Sequence, residues 1–313
     1  MSLPGIPAPV GALHLRLPAT SANLGPGFDA LGLAMALYLT IEARVSESGA
    51  FHIDATGRNA EACSVIDNNL ILTTYVDVLA NAGVFSPRLH LKLNNEIPLG
   101  MGCGSSAAAL LAGVMLANHF GQLNWSSQQI LEEACRREGH PDNVAACFLG
   151  GMTVSLMSDS SVKTATYGDK LNWSLLLALP SASLSTSKAR ALLPEHYSRE
   201  DAVANIQATA LLVSAFALHR GDLLASAMRD RIHQPYRMEV CPLLPRLLPL
   251  AGTHGVLGVA LSGAGPSVLL IAEQASGDTL SAIRNAAQDP EVEVIQTSIA
   301  GKIESHYGNN LPG

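Results

Sequence analysis

The apolar and polar positions of this chain change period several times. Ala12 to Leu17 alternates apolar with polar residues and predicts a strand. Leu31 to Val45 is a long stretch of β character, Phe51 to Ala55 a short strand, and Leu89 to Leu93 alternates again. Between them, Asn69 to Ala82 places Leu70, Thr73, Val76, Leu79 and Ala80 at helical spacing and runs into Gly83, a residue that ends a helix without strain. Ser105 and Ser106 open a run of Ala and Leu that predicts a second helix with serine as its cap. Ser126 to Arg137 predicts a third, with Ser126 or Ser127 leading into Gln129 and Ile130. Thr153 to Leu156 resumes strand character. The C-terminal half reads as a buried strand from Trp173 to Leu179, a capped short helix within Ser185 to Pro194, an amphipathic helix from Val203 to His219 and another from Asp222 to Asp230. Strands Val256 to Leu261 and Val268 to Ala272 flank the loop Ser262 to Ser267; a helix from Gly277 to Gln288 and a strand from Val292 to Ile299 follow. The order is mixed rather than a strict alternation of strand and helix, which gives the α+β class. Ser158 to Asp169 is polar with few order signals, so the chain is divided there into an N-terminal unit, 1–165, and a C-terminal unit, 166–313.

A length of 313 residues suits two domains, and 48% hydrophobic residues are ample for their cores. The net charge of −7, with Lys and Arg scattered, argues against a nucleic-acid surface. The five cysteines contain no Cys-x-x-Cys pair, which fits reduced thiols in the cytoplasm rather than a disulfide framework. The ten histidines show no zinc spacing. The longest apolar run, Ala107 to Ala117, falls short of the ~20 residues a membrane span needs. Met1 to Val10 lacks the cationic start and apolar core of a signal peptide. Neither nucleic acid nor membrane is therefore expected as a partner. The oligomeric state stays open, a homodimer included.

Three stretches carry the candidate chemistry. The first is Pro98-Leu99-Gly100-Met101-Gly102-Cys103-Gly104-Ser105-Ser106-Ala107-Ala108. Alternating glycines allow a tight turn against a ligand, and a helix start points free N–H groups and a positive dipole end at one spot. That spot suits phosphate, and the Ser106 hydroxyl could reach a metal ion. There is no Gly-x-x-x-x-Gly-Lys-Ser/Thr, and no acidic residue follows at the distance a dinucleotide site requires. The second stretch, Pro18 to Asp29, is a loop after a strand, dense in Gly, Pro, Ser and Asn, with Asp29 its one charge. The third, Glu138-Gly139-His140-Pro141-Asp142-Asn143, gathers two acids, an imidazole and an amide on a rigid loop at a helix end.

The pattern Pro-x-x-x-Gly-x-Gly-Ser-Ser-Ala resembles the phosphate loop of the GHMP kinases, the galacto-, homoserine, mevalonate and phosphomevalonate kinases. Cys103 stands where most members have Leu. The resemblance runs along nearly the whole chain. It includes Thr20 to Asp29, Glu138 to Ala145 with Phe148 to Gly151, Thr186 to Arg190 with Leu192 to Pro194, Gln234 to Arg237, and Ser262 to Pro266. It implies an N-terminal domain like ribosomal protein S5 domain 2 and a ferredoxin-like C-terminal domain. It also implies phosphoryl transfer from ATP to a small alcohol, and these motifs match the branch whose acceptor is L-homoserine. The loop from Pro98 to Ala108 would then wrap the triphosphate, with Asn69 near the adenine and Thr186 near the phosphates. Asn23, Asp29, His140 and Asn143 would face the acceptor, and Arg190 and Arg237 would hold its carboxylate. Gln234 stands where other members often have Glu, which leaves its role open.

Phosphoryl transfer asks for position and charge neutralisation. Mg²⁺ takes oxygen ligands and keeps waters, so one hydroxyl and one carboxylate suffice. Ser106 and Glu138 are the candidates, with Glu132 and Glu133 as alternatives. Asp142 and Asn143 both lie where an acceptor hydroxyl could be contacted. The resemblance favours Asn143, which with Ser106, Glu138 and Arg190 makes the expected catalytic set. Mevalonate lacks an ammonium for Asp29 and galactose a carboxylate for the arginines, so this chemistry separates the acceptors. A nucleotide-binding regulator without turnover is the reading from another class, and the intact Ser106, Glu138 and glycine loop argue against it.

Overall fold

The computed structural model describes residues 11–159, 161–168 and 171–307; the Met1 to Val10 stretch and part of the 158–169 boundary segment lie outside the described residues. The first half contains β1 (Leu13–Ala22), β2 (Leu31–Val45), β3 (His52–Gly57), α1 (Ala60–Ser64), α2 (Leu70–Asn81), β4 (Leu89–Asn95), α3 (Ser105–Phe120), α4 (Ser127–Glu138), α5 (Asp142–Leu149), β5 (Met152–Ser158) and β6 (Ser161–Tyr167). The second contains β7 (Ser174–Leu179), α6 (Thr186–Ala191), α7 (Arg199–Ala217), α8 (Leu224–Ala227), α9 (Gln234–Arg237), α10 (Leu243–Leu247), β8 (Val256–Leu261), β9 (Val268–Ala272), α11 (Gly277–Ala287), β10 (Glu293–Ser298) and β11 (Glu304–Tyr307).

Two sheets organise these elements. The first has the order β11-β1-β2-β4-β3, with β5 paired to β2 and β6 to β5. β2 is its spine: Leu39 to Val45 pair with β4, while Leu31 to Leu33 pair with β5. α3 lies under this sheet and is buried nearly all round by Ala107, Ala108, Leu111, Ala112 and Leu116, as a helix apolar on every side should be. The second sheet has the order β10-β7-β9-β8, antiparallel throughout. Successive residues on a strand face opposite ways, and here both faces are covered. Leu175, Leu177, Leu269 and Ile271 join the main core with Trp173 and Phe216. Leu176, Ala178, Val268 and Leu270 pack with Leu243, Leu247 and Ile283 of α10 and α11. This explains why β7 reads as an unbroken apolar run.

The elements that the pattern does not predict are polar or short. The polar stretch after Ser158 forms β6, an edge strand paired antiparallel to β5 and largely exposed, so it carries no apolar alternation. The first sheet thus continues to Tyr167. β11 returns from the chain's far end to pair with β1, opposing Arg16 to Glu304, whose side chains form an ion pair. The helix expected from Asp222 to Asp230 is limited to Leu224–Ala227 after a single tighter turn. Asp230 ends it, because its carboxylate accepts the N–H groups of Ile232, His233 and Gln234 and draws the chain into α9. All five cysteines are free, and burial pushes the Cys103 and Cys135 thiols up to about 12.

Candidate active site

The predicted loops converge on one cavity of about 230 Å³. Its walls come from the β1–β2 turn, the glycine loop, the α4–α5 junction, α6, α9 and the loop between β8 and β9. The glycine loop is left-handed at Gly100, Gly102 and Gly104, with φ of 70°, 74° and 69°. A Cβ at Gly102 would clash with the Ser262 carbonyl oxygen, and one at Gly104 with the Thr20 hydroxyl. Glycine is therefore required at both by conformation and by space. The helix cap differs from expectation. Gly104 occupies the cap position and Ser105 is already helical, so no side chain caps α3. The first N–H groups of the helix thereby stay available to a ligand. Ala108 is an exception within the predicted loop, because its N–H is donated to the Gly104 carbonyl. Pro98, Ala107 and Ala108 are buried against the core rather than lining a cavity.

A second cavity of about 510 Å³ lies on the other side of Ser105 and Ser106, with apolar walls that include Leu70, Ile71, Leu93, Ile97 and Leu99. Asn69 lines it, but its amide is occupied as the cap of α2. Its Oδ1 accepts from the N–H groups of Ile71 and Leu72, and its Nδ2 donates to the carbonyls of Cys63 and Val65. Its sequence position is a helix cap first and a pocket wall second.

At the other end of the first cavity lies a cluster of charge. Asp29 accepts a two-pronged ion pair from Arg190, with both N···O distances 2.8 Å. The ring of Phe28 lies near two guanidinium groups, Arg190 at 5.2 Å and Arg237 at 5.6 Å from its centroid, and stacks on His233 at 5.4 Å. Arg237 is 1% exposed and donates to the Ala189 carbonyl and to His233 Nδ1, yet no ion pair among the described residues gives it a carboxylate. Burial, with Arg190 adding a like charge, pulls its guanidinium below the usual range. A buried cation without a counter-ion at a cavity wall is costly and favours an anionic ligand. Asn23 has less freedom than expected: its Nδ2 donates to the Gly263 carbonyl and its Oδ1 accepts from the Asp29 N–H. It fastens the first loop to the second glycine loop.

The α4–α5 junction is more ordered than the loop expected there. α5 begins at Asp142, whose carboxylate accepts the N–H of Asn143 at 2.6 Å, and Val144 to Phe148 are buried. Asp142 Oδ1 also accepts from His140 Nδ1 at 2.6 Å. Burial alone would lower the His140 imidazole, but Asp142, Glu138 and Asp29 together raise it above its ordinary value. Burial pushes Glu138 above the usual carboxylate range; His140 and the nearby Ser106 hydroxyl draw it partly back. Glu138 and Ser106 share the cavity, whereas Glu132 accepts from Gln128 and the Val162 N–H, and Glu133 holds Arg136 and Arg137. Asp142, 2% exposed and committed to His140 and Asn143, has the contacts of an organiser. Asp142→Asn should keep kcat within about tenfold of the parent, since Asn retains an acceptor for the N–H of Asn143; a collapse to background in steady-state assays would make Asp142 the base.

Residues 69–151 match the model of the GHMP kinases N terminal domain and residues 212–290 that of the GHMP kinases C terminal domain. The chain belongs to the GHMP kinase family. The homoserine kinase of Solibacter usitatus (strain Ellin6076) is 47% identical over 262 residues, 83% of this chain and 85% of that protein. The homoserine kinase of Desulfitobacterium hafniense (strain DSM 10664 / DCB-2) is 39% identical, over 86% of this chain and 90% of that protein. In fold, this GHMP kinase is similar to the crystal structure of homoserine kinase from Cytophaga hutchinsonii ATCC 33406, with a TM-score of 0.81 and 23% identity, covering 97% of this chain and 100% of that one. It is also similar to L. major mevalonate kinase, with a TM-score of 0.66 and 16% identity, covering 96% and 100%.

Three side chains of this GHMP kinase's site were not singled out from its sequence. Phe28, His233 and Thr20 carry no charge signal of their own. Each lies inside or beside a quoted motif, and only the fold places Phe28 near two arginines, His233 in hydrogen-bond contact with Arg237 and Thr20 against Asn143. Gln234 also has a definite contact: its Oε1 accepts the N–H of Leu261 at 2.6 Å and holds β8 in place.

Proposed function

We propose that this GHMP kinase transfers the γ-phosphoryl group of ATP to the side-chain hydroxyl of L-homoserine, giving O-phospho-L-homoserine and ADP, on the way to threonine. The observation that carries the reading is the pairing of Asp29 with Arg190 and the buried, carboxylate-free Arg237 at one end of a cavity whose other end is the glycine loop. An amino-acid zwitterion meets that end with its own two charges. Its ammonium faces Asp29 and its carboxylate faces the arginines, a fork-shaped donor matching two oxygens. A terminal hydroxyl then reaches toward Asn143 and the phosphates. The names of the relatives point to the same acceptor.

ATP lies with its phosphates on the N–H groups of the glycine loop and of the α3 N-terminus, near Thr186, and its base in the apolar cavity beside Asn69. A half-buried carboxylate and a hydroxyl at the edge of a phosphate site are hard oxygen donors that fit Mg²⁺. Ser106 and Glu138 would hold the ion, which when bound neutralises phosphate charge. Asn143 orients the acceptor hydroxyl. Its oxygen attacks the γ-phosphorus, the bond from that phosphorus to the ADP oxygen breaks, and the hydroxyl proton leaves to a phosphoryl oxygen and then to water. An amide has no basic site for that proton at neutral pH, so the protein contributes position and charge rather than a strong base. Five free thiols, and no helix among the described residues long and apolar enough to cross a membrane, fit work in the cytoplasm. Phosphorus NMR of a reaction containing only ATP, Mg²⁺ and L-homoserine tests the reading: a phosphate monoester resonance growing in step with ADP supports it, and ADP accumulating with free phosphate alone overturns it.

A further inference from the structure

One buried hydroxyl of the site has no part in the phosphoryl transfer proposed above. Thr20, in β1, is fully buried. Its N–H donates to the Cys103 carbonyl at 3.0 Å, which ties β1 to the glycine loop. Its Oγ1 donates to Asn143 Oδ1 at 2.7 Å. Gly104 passes beside the same pair: a Cβ there would clash with the Thr20 hydroxyl and lie 3.2 Å from Asn143 Oδ1. The Thr20 side chain therefore stands where the acceptor's anchor meets the turn that carries the phosphates. The opposite end of the amide is fixed as well. Asn143 Nδ2 faces Asp142 Oδ1 at 3.4 Å, and an ionised carboxylate only accepts hydrogen bonds. A flipped amide would present its oxygen to that carboxylate, so chemistry as well as distance selects one orientation.

We propose that Thr20 is a positioning residue that locks the Asn143 amide with its oxygen turned away from the reacting hydroxyl and the one N–H not directed at Asp142 turned toward it, at a distance from the glycine loop set by the same contact. The inference rests on the role given to Asn143 above. Its consequence is that Asn143 acts on the acceptor as a donor only. It gives an N–H to a lone pair of the hydroxyl oxygen and leaves the hydroxyl's own proton pointing elsewhere. Without Thr20, the amide oxygen loses its partner and the side chain can turn, which mis-sets the attacking oxygen while leaving the two charged ends of the site as they were.

A double-mutant cycle tests this. Thr20→Val keeps the shape and removes the donor, while Thr20→Ser keeps the donor. Thr20→Val should lower kcat about tenfold, the scale of losing one hydrogen bond to a buried acceptor, with KM for ATP and for L-homoserine within about twofold of the parent. Thr20→Ser should recover most of kcat. In an Asn143→Ala background, Thr20→Val should cost nothing more, because the group it positions is gone. If Thr20→Val does not fold, Thr20→Ala fits the same space and carries the same cycle. The same further loss in the Asn143→Ala background, or a silent Thr20→Val beside a crippled Asn143→Ala, overturns the proposal. An Asn143→Ala enzyme as fast as the parent overturns it too, and that single variant would show that the role of Asn143 had failed first.

Discussion

Glu138→Gln loses about 100-fold or more in kcat while the protein remains folded; that is the largest single effect expected. The magnitude is that of removing one preorganised charge from a site where charge develops. Glu138 is chosen over its helix neighbours on contacts. Glu132 and Glu133 are bound to Gln128, Val162, Arg136 and Arg137, and only Glu138 lies in the cavity beside Ser106. Stability should move the other way. Burial raises the Glu138 carboxyl in the folded state. A carboxyl raised above its unfolded value favours folding when protonated, below its unfolded pKa, and that contribution is lost as pH rises through the folded pKa. At neutral pH the ionised group therefore costs stability, and Gln removes the charge. Thermal unfolding without Mg²⁺ at neutral pH should give Glu138→Gln a Tm equal to or above the parent. Near-normal turnover in Glu138→Gln together with a collapse in Glu132→Gln or Glu133→Gln would move the role to a neighbour.

The second large effect is on acceptor recognition. Arg190→Ala and Arg237→Ala should each cut kcat/KM for L-homoserine by roughly 10- to 150-fold, from ~1.5–3 kcal/mol for a hydrogen bond to a charged group. The two should differ in kind. Arg190 is partly exposed and holds Asp29, so its loss disturbs both charged ends of the acceptor. Arg237 is buried on Phe28, His233 and the Ala189 carbonyl, so Arg237→Ala should also lower Tm by leaving a cavity. KM for ATP should hardly change in either. An L-homoserine methyl ester, whose carboxylate is masked, should feel the substitutions much less. Equal losses on the acid and the ester would mean that the arginines serve phosphate or folding instead.

What the sequence reveals of this molecule follows from which residues carry a local signal. The glycine loop is plain because alternating glycines before two serines have a steric reason that holds in any fold, and here two of them face atoms no Cβ could approach. Strand β4, β1 from Leu13 to Leu17 and β2 from Leu39 to Ala43 are plain because buried residues alternate there with more exposed ones. β6 and β11 are not, because polar edge strands are held by backbone pairing that leaves no apolar period. α5 is hidden by its own start: His140, Pro141 and Asp142 look like a loop of functional groups, and only the buried Val144 to Phe148 reveal a helix whose first turn holds Asp142 and Asn143. Within the site, charge made Asp29 and Glu138 candidates, and the family resemblance made Arg190 and Arg237 candidates. Asn23 and Asn69 were candidates by motif, and in the fold their amides are taken up in fastening a loop and capping a helix. Thr20, Phe28 and His233 act through contacts with residues more than a hundred positions away or on another short helix, and composition offers no sign of such contacts.

The central claim is that this site is built for a zwitterion bearing a hydroxyl, and one measurement addresses it most directly: ADP release by the purified enzyme with ATP and Mg²⁺, compared across L-homoserine, mevalonate and galactose at equal concentration. The predicted result is turnover with L-homoserine and rates at the acceptor-free background with the other two, because mevalonate brings no ammonium to Asp29 and galactose no carboxylate to Arg190 and Arg237. Turnover of mevalonate or galactose at a rate matching L-homoserine, or L-homoserine at background, would contradict it.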